Sequence, residues 1–331
     1  MDQTTDIVEP FLKRGPNTAR MMLAMLACLT VTAVHFAVRY DGALAWRFAA
    51  ALGIGWLIEL TYALLRDGRP AWPNPSTAVT SALLVLSVPS RMPLPHIAAG
   101  IAVATLFGKL MIDRTALRLN PMLLGRLFMM LVFADSIQRW SVPGAAPDAL
   151  SYATPLRLLE AEGVALPLTD VLTGRIGGDW HGIYALLPGA PGETMPILAL
   201  LLGIVLYWGG VLDWRPGLAF LAGLALACRA LGMPVAFHLA AGSSVFAAVY
   251  IVTDPRTLPG SKAGRLAAGF LAGVLNAVVR WHIYYPEGIV PAVLAVNLLS
   301  PALDRCAFAG RGAWLQWRAR RASAIRPGSQ A

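Results

Sequence analysis

Residues 76–95 read STAVTSALLVLSVPSRMPLP, and their pattern recurs at residues 242–259, which read GSSVFAAVYIVTDPRTLP. In both copies a short Ser-containing apolar segment ends in a turn marked by Pro. A Gly- and Ala-rich segment follows, GIAVATLFGKLM in the first copy and GFLAGVLNAVV in the second. A Pro-marked loop then opens another apolar segment. The pattern predicts that the chain contains an internal repeat.

The composition predicts a polytopic membrane protein. Of the 331 residues, 57% are hydrophobic and only 14% are charged, with a mean hydropathy of +0.61. Soluble domains carry roughly 25% charged residues. The net charge of +9 needs no nucleic-acid partner, because positive residues that flank membrane helices account for it.

Apolar runs of membrane-spanning length predict an all-α fold of about ten transmembrane helices in two groups of five. The runs are residues 19–38, 43–65, 76–89, 94–112, 121–140, 195–212, 216–231, 235–252, 264–281 and 288–303. An odd number of helices per group makes the two halves enter the membrane in opposite directions, which is an inverted repeat. The runs 76–89 and 235–252 are short or polar, so we expect broken or re-entrant helices there. Ordinary helices with blurred ends are the alternative.

Five regions follow from these runs. They are an N-terminal cytoplasmic segment (1–18), a first five-helix repeat (19–140), an extracytoplasmic loop (141–194), a second five-helix repeat (195–303) and a basic cytoplasmic tail (304–331). With the N-terminus inside, 18 of the 27 Lys and Arg residues fall on the cytoplasmic side and eight on the other, with Arg126 inside a helix. Because positive loops are retained in the cytoplasm, both termini are predicted to be cytoplasmic. The tail residues Trp314, Trp317, Arg318, Arg320 and Arg321 suit an anionic lipid leaflet, and a disordered tail is the alternative.

Ionisable residues at membrane depth are candidates for ion or proton handling, because an unpaired buried charge is costly. The candidates inside predicted helices are Glu59, Lys109, Arg126 and Asp135, and those at helix ends are Glu193, Asp254 and Glu287. Glu193 and Glu287 precede helices, so simple helix capping is the alternative for them. His35 and His238 could ligate a haem, although a packing role is commoner for a lone His. The sequence assigns no metal ligand and no catalytic residue, and its three cysteines build neither a disulfide framework nor an iron–sulfur motif.

The stretch Asp148-Ala149-Leu150-Ser151-Tyr152-Ala153-Thr154-Pro155 lies between the two predicted repeats. Thr154 is a candidate acceptor for a covalent group. Because a threonine hydroxyl needs activation before it reacts, a modifying enzyme would have to reach it, which predicts an exposed and adaptable loop. Turn capping by Asp148, Ser151 and Thr154 is the alternative.

The chain resembles the NqrB/RnfD family, the flavin-carrying membrane subunits of the sodium-pumping NADH:quinone oxidoreductase and of the Rnf electron-transport complex. The resemblance runs from about residue 17 to residue 305 and depends on motifs that occur in order. These are Ser151–Leu156, Gly192-Glu193-Thr194, Thr253-Asp254-Pro255-Arg256-Thr257 with Pro259, Gly264-Arg265, and Tyr285-Pro286-Glu287-Gly288 followed by Asn297, Pro301 and Asp304.

The resemblance implies a covalent cofactor. In the family a flavin transferase, acting outside the cytoplasm, joins FMN to a threonine through a phosphoester within the motif Asp-x-x-Ser/Thr-Gly-Ala-Thr. Asp148, Ser151, Ala153 and Thr154 match that motif, with Thr154 as the acceptor, whereas Tyr152 replaces the glycine. The glycine-rich turn that the family has before Asn120-Pro121 is also absent, so a flavin contact on the cytoplasmic side is expected to differ.

The predicted function is that of a flavoprotein subunit in the bacterial inner membrane. It would pass electrons between other Rnf/Nqr-like membrane and FMN-binding subunits and a flavin or quinone, with coupling to sodium or proton movement. Riboflavin is a second expected flavin, bound non-covalently. The sequence has no Gly-rich NADH fingerprint, so we expect an electron-transfer subunit that is not catalytic alone. A solute or ion transporter and a non-redox membrane scaffold are the alternatives, because inverted repeats also build solute carriers.

Overall fold

The computed structural model describes residues 18–70, 74–111, 118–140, 154–156, 159, 163, 167–174, 189–282 and 288–324. Within these ranges the regular structure is helical, and no β-strand occurs. The predicted all-α fold is therefore confirmed.

The first half of the chain contains six of the described helices. They are α1 (Thr18–Arg39), α2 (Ala43–Asp67), α3 (Pro75–Leu86), α4 (Leu94–Thr105), which continues as a π-helical turn over Leu106–Met111, α5 (Pro121–Val132) and α6 (Ala134–Ile137). Asn-Pro pairs fix the starts of α3 and α5. The Asn74 side chain accepts a hydrogen bond from Ser76 N, and Asn120 accepts from Met122 N and Leu123 N. The proline that follows each asparagine is preorganised for the first helical turn.

The remaining described helices begin with α7 (Leu168–Thr173) in the connection between the halves. They continue with α8 (Pro196–Trp208), α9 (Trp214–Ala230), α10 (Val235–Ala240), α11 (Ser244–Phe246) with a π-helical turn over Ala247–Ile251, α12 (Lys262–His282) and α13 (Ile289–Ala324).

Five described helical segments are long and apolar enough to cross a membrane. They are α1, residues 43–66 of α2, α4 with its π-helical turn, α12 and residues 289–309 of α13. The apolar helices α3, α5 and α8 are shorter, at 12 to 13 residues, which is about 20 Å of helix against a hydrocarbon core of about 30 Å. Short helices of this kind require a polypeptide environment at their ends, where they leave backbone groups without helical partners.

The structure gives the detailed course of three predicted helices. The run 121–140 is interrupted at Phe133 (φ −118°, ψ 41°), whose ring stacks on His96 with centroids 4.0 Å apart. The run 235–252 is broken, as predicted, at the αL residue Gly242 (φ +65°). The last helix does not end at residue 303 but continues to Ala324, because Pro301 removes only one backbone donor and the following residues favour helix.

The two repeated stretches lie side by side and run in opposite directions. Arg256, just past the end of the second stretch's π-helical turn, donates through Nη1 to Ser76 Oγ at the start of α3 (3.5 Å). At the other end of α3, Leu86 O accepts from Gly192 N (2.8 Å), and Gly192 lies against the Phe246 ring of α11. The start of one stretch therefore lies beside the end of the other, as an inverted repeat requires. Both stretches are buried along nearly their whole length.

Glycines allow α9 and α12 to pack with their backbones in contact. A β-carbon on Gly273 would overlap Phe220 O and lie 2.6 Å from Leu224 N, and one on Gly269 would overlap Pro216 O. These are backbone atoms, which cannot rotate away as a side chain can. Small residues at such crossings are how membrane helices approach closely.

We expect Gly273→Ala to destabilise the protein by about 1–3 kcal/mol, since the added methyl forces α9 and α12 apart. Gly53→Ala is the matched control, because a β-carbon on Gly53 in α2 meets nothing within 4 Å. There the better helix propensity of alanine should stabilise by up to about 1 kcal/mol. Thermal unfolding of both variants in detergent measures the difference, and equal effects would contradict the packing account.

Candidate functional site

A break in the second repeat organises the site that contains Thr154. Helix α10 ends at Ala240, Gly242 adopts its left-handed conformation, and α11 begins at Ser244. A side chain at Gly242 would be strained by this φ and would also meet Leu156 Cδ1 at 2.7 Å and Arg280 Nη2 at 3.2 Å. The break therefore brings the Thr154 segment and α12 to one point.

Thr154 is buried, with 8% of its surface exposed, and no described atom forms a hydrogen bond with its Oγ1. The expectation that Thr154 lies exposed in a loop is therefore wrong for this residue. Asp148, Ser151, Tyr152 and Ala153 lie outside the described residues, so their predicted roles stay predictions.

Thr154 is buried because the residues after it are anchored in a small apolar cluster. Leu156 packs with Val171 of α7 and with α10 residues Phe237 and Ala240, and the cluster also includes Ala241. Burying a leucine side chain contributes roughly 1.5–3 kcal/mol. That contribution holds the neighbouring Thr154 at the broken end of α10.

A buried ion pair lies at the same break. Arg126, in the middle of α5 and 1% exposed, places Nη2 3.6 Å from Glu193 Oε1. The hydroxyl of Ser243 donates to the same carboxylate oxygen. Glu193 thus binds side chains from both halves of the chain, and the N-terminal flanking residue of α8, Met195, forms no side-chain cap.

Arg280 of α12 forms the second charged contact at the break. Its Nη1 donates to His238 O (3.0 Å) and its Nη2 to Ser244 Oγ (3.0 Å). Sequence reasoning missed this residue, because Arg280 falls among the charges that flank the end of a predicted helix. Its position inside the Gly- and Ala-rich run, four residues after Asn276, was the available signal.

A corresponding cation lies in the first repeat. Lys109, on the π-helical turn after α4, donates to Glu59 Oε1 of α2 (3.3 Å) and to Thr77 Oγ1 near the start of α3. Each repeat therefore places a cation from its fourth membrane segment at the start of its short buried helix. Of the other ionisable candidates, Asp135 is exposed at the start of α6, and Glu287 lies outside the described residues.

A second polar site also lies at the start of α3, whereas the Thr154 break lies near its end. Asp254 accepts from Asn120 Nδ2 (3.3 Å) through Oδ2 and from Arg256 N (3.1 Å) through Oδ1. Burial raises the pKa of the Asp254 carboxyl, and the Arg256 backbone hydrogen bond and charge oppose that shift. Asp254 therefore anchors a turn. It also lines a cavity of about 670 Å³, a volume that includes the open mouth. The other polar residues that line this cavity include Ser76, Asn120, Tyr250 and Arg256.

Long apolar helices, short buried helices and buried ion pairs define a class, the all-α polytopic membrane proteins with broken helices. The sequence matches the profile of the NQR2, RnfD, RnfE family over residues 6–309, and the chain belongs to that family.

Two bacterial relatives illustrate the family. The chain is 31% identical to a subunit of the ion-translocating oxidoreductase complex from Pseudomonas paraeruginosa, over 88% of this chain and 91% of the relative. It is 30% identical to a subunit of the Na(+)-translocating NADH-quinone reductase from Chromohalobacter salexigens, over 78% of this chain. The match covers 63% of that relative's length, so the reductase subunit contains residues without a counterpart in the match.

Proposed function

We propose that this chain is a membrane flavoprotein subunit of an Rnf/Nqr-like complex and carries FMN covalently on Thr154. The observation that carries the proposal is the Thr154 hydroxyl, which is buried without a described hydrogen-bond partner. A buried hydroxyl of this kind costs about 1–3 kcal/mol, and a phosphoester on Oγ1 removes the unpaired donor. Family membership and the motif residues Asp148, Ser151 and Ala153 support the same assignment.

The attachment is a phosphoryl transfer to the Thr154 oxygen. Oγ1 forms a bond to the FMN phosphorus and loses its proton, while a leaving group departs from that phosphorus. The donor is therefore a flavin with a good leaving group on its phosphate, such as a flavin dinucleotide, and the flavin transferase supplies the base. Since Thr154 is buried, the Thr154–Leu156 segment must leave α10 while the transferase acts on it.

FMN accepts and releases one or two electrons, and the protein supplies its position and surroundings. The Leu156 cluster holds the attachment point at the break, and the apolar residues around it exclude water. Arg126, Glu193 and Arg280 set the local charge. The electrons come from a partner subunit, because the sequence contains no NADH fingerprint.

The Asp254 cavity supports a second, non-covalent flavin, for which we propose riboflavin, or a quinone. The Asn120 amide and the Asp254 carboxylate offer the hydrogen-bonding groups that a flavin ring or a quinone carbonyl requires. Met21, Met22 and Met25 line its apolar wall.

The proposed location is the bacterial inner membrane, with both termini in the cytoplasm and Thr154 on the outer face. The proposed partners are the other membrane and FMN-binding subunits of the complex, and the complex couples electron transfer to sodium or proton movement.

A transporter is the second candidate function, and the Lys109–Glu59 pair favours it. This buried pair at the start of α3 resembles the paired intramembrane charges of ion pathways. A non-redox scaffold with the same fold is the third. Both alternatives lack a covalent flavin.

Intact-mass analysis after co-expression with a flavin transferase tests the proposal. We expect the mass to rise by that of FMN less one water, and peptide mapping should place the increment on the peptide that contains Thr154. Expression without the transferase provides the control. An unshifted mass, with the transferase active on another substrate, contradicts the proposal.

A further inference from the structure

Arg280 is a buried cation whose described contacts are all neutral. It is 8% exposed, its two Nη atoms donate to a carbonyl and a hydroxyl, and its Nε forms no hydrogen bond with a described atom. Among the described residues, no carboxylate lies within 4 Å of its guanidinium to form an ion pair. A guanidinium stays charged at membrane depth, and without an anion its burial costs several kcal/mol.

The described charges nearby give Arg280 no ion-pair partner. Glu193 pairs with Arg126, and its Oε1 also accepts from Ser243. Glu193 attracts Arg280 without forming an ion pair with it. A negative charge in contact with Arg280 would offset the cost of burying its guanidinium in a low-dielectric environment.

The Thr154 segment lies beside Arg280 at the break. A β-carbon placed on Gly242 would lie 2.7 Å from Leu156 Cδ1 and 3.2 Å from Arg280 Nη2. Leu156 is two residues after Thr154, so the guanidinium approaches the segment that carries the proposed attachment point.

We propose that Arg280 is the counter-cation that holds the phosphodiester joining the flavin to Thr154. This inference rests on the proposed function, since it requires the flavin to be attached. A phosphodiester carries one negative charge at neutral pH, which would offset the positive charge of Arg280. Guanidinium groups bind phosphate oxygens with directed, charge-assisted hydrogen bonds. Arg280 is thus a positioning residue and takes no part in electron transfer.

A stability cycle separates this role from a purely structural one. Wild type, Arg280→Gln and Arg280→Lys are each purified with and without flavinylation, and thermal unfolding is followed by intrinsic fluorescence. We expect flavinylation to raise the Tm of the wild type and of the lysine variant, and this gain to be lost in the glutamine variant. Without the flavin, Arg280→Gln should leave the Tm unchanged or raise it, because it removes an uncompensated buried charge.

Two further variants serve as controls for this stability comparison. Arg229→Gln, at an exposed arginine near the end of α9, should keep the full flavin-dependent gain. Glu287→Gln tests the rival counter-anion outside the described residues and should also keep the gain. The inference is overturned if Arg280→Gln lowers the Tm equally in both forms, fails to fold without flavin, or keeps the gain. It is also overturned if Glu287→Gln abolishes the gain. An unshifted mass in the wild type rejects the proposed function instead.

Discussion

Replacing Thr154 with valine is expected to abolish covalent flavin and to leave the fold intact. Valine has nearly the shape of threonine without the hydroxyl, so the acceptor atom of the phosphoester is lost. Because the described structure gives Oγ1 no hydrogen-bond partner, its removal should not destabilise the unmodified protein and should stabilise it by up to about 1–3 kcal/mol. The purified variant should show no flavin fluorescence after denaturation.

For the complex, we expect Thr154→Val to reduce electron transfer by orders of magnitude. Under the proposed function, covalent attachment would fix the flavin within reach of its partners, so a missing carrier would interrupt the chain of transfers. Electron flux through the assembled complex, measured with its own donor and acceptor, tests this expectation. Survival of that flux in Thr154→Val would mean that the covalent flavin is not the working group and would favour the scaffold.

Matched threonine variants control for position. Thr173→Val, on α7, removes an exposed hydroxyl that bonds to Thr169 O (2.7 Å) and should retain the full mass increment. Thr154→Ser retains a hydroxyl and should restore part of it. If Thr173→Val also lacked flavin, the loss of flavin in Thr154→Val would be explained by disruption of the connection between the two halves and not by removal of the acceptor atom.

Replacing Glu193 with glutamine is expected to cost about 3–5 kcal/mol of folding stability, because it removes a carboxylate that pairs with the buried Arg126. Arg126 is 1% exposed and its guanidinium lies 3.6 Å from the carboxylate. Glutamine keeps the shape and an acceptor for Ser243, so the loss isolates the charge. Equilibrium unfolding in mixed detergent micelles measures it.

An ion pair nearer the surface calibrates this value. Arg91 lies 3.0 Å from Asp41 but its side chain is 37% exposed, so Arg91→Gln should cost no more than about 1 kcal/mol. In the double variant Arg126→Met/Glu193→Met both charges are replaced by apolar side chains, and most of the lost stability should return. Equal costs for Glu193→Gln and Arg91→Gln would show that the buried pair contributes little to stability.

The positions of the helices followed from the sequence because lipid requires every spanning segment to be apolar and hydrogen-bonded within itself. Asn74-Pro75 and Asn120-Pro121 mark helix starts through local geometry. The break predicted within residues 235–252 falls at Gly242, whose positive φ the structure shows. Phe133 gave no such signal, because its stacking on His96 involves a residue from another helix. The extension of α13 to Ala324 was also not predicted, since charged residues end a membrane run without ending a helix.

The same distinction between local signals and contacts between helices applies to the site. Thr154 and its motif could be proposed from neighbouring residues, since a modifying enzyme reads a local stretch of sequence. The pairing of Arg126 with Glu193 and the contact of Arg280 with Ser244 could not be proposed, since they join residues from separate helices. The burial of Thr154 depends likewise on Leu156 packing against α10.

By itself the sequence determined an all-α membrane protein with two inverted copies of one pattern, because hydropathy, proline and glycine act over a few residues. Only the tertiary structure decided which charges meet at the Gly242 break and that Thr154 is buried there. Burial and ion pairing depend on distances between helices, and a one-dimensional pattern does not contain those distances.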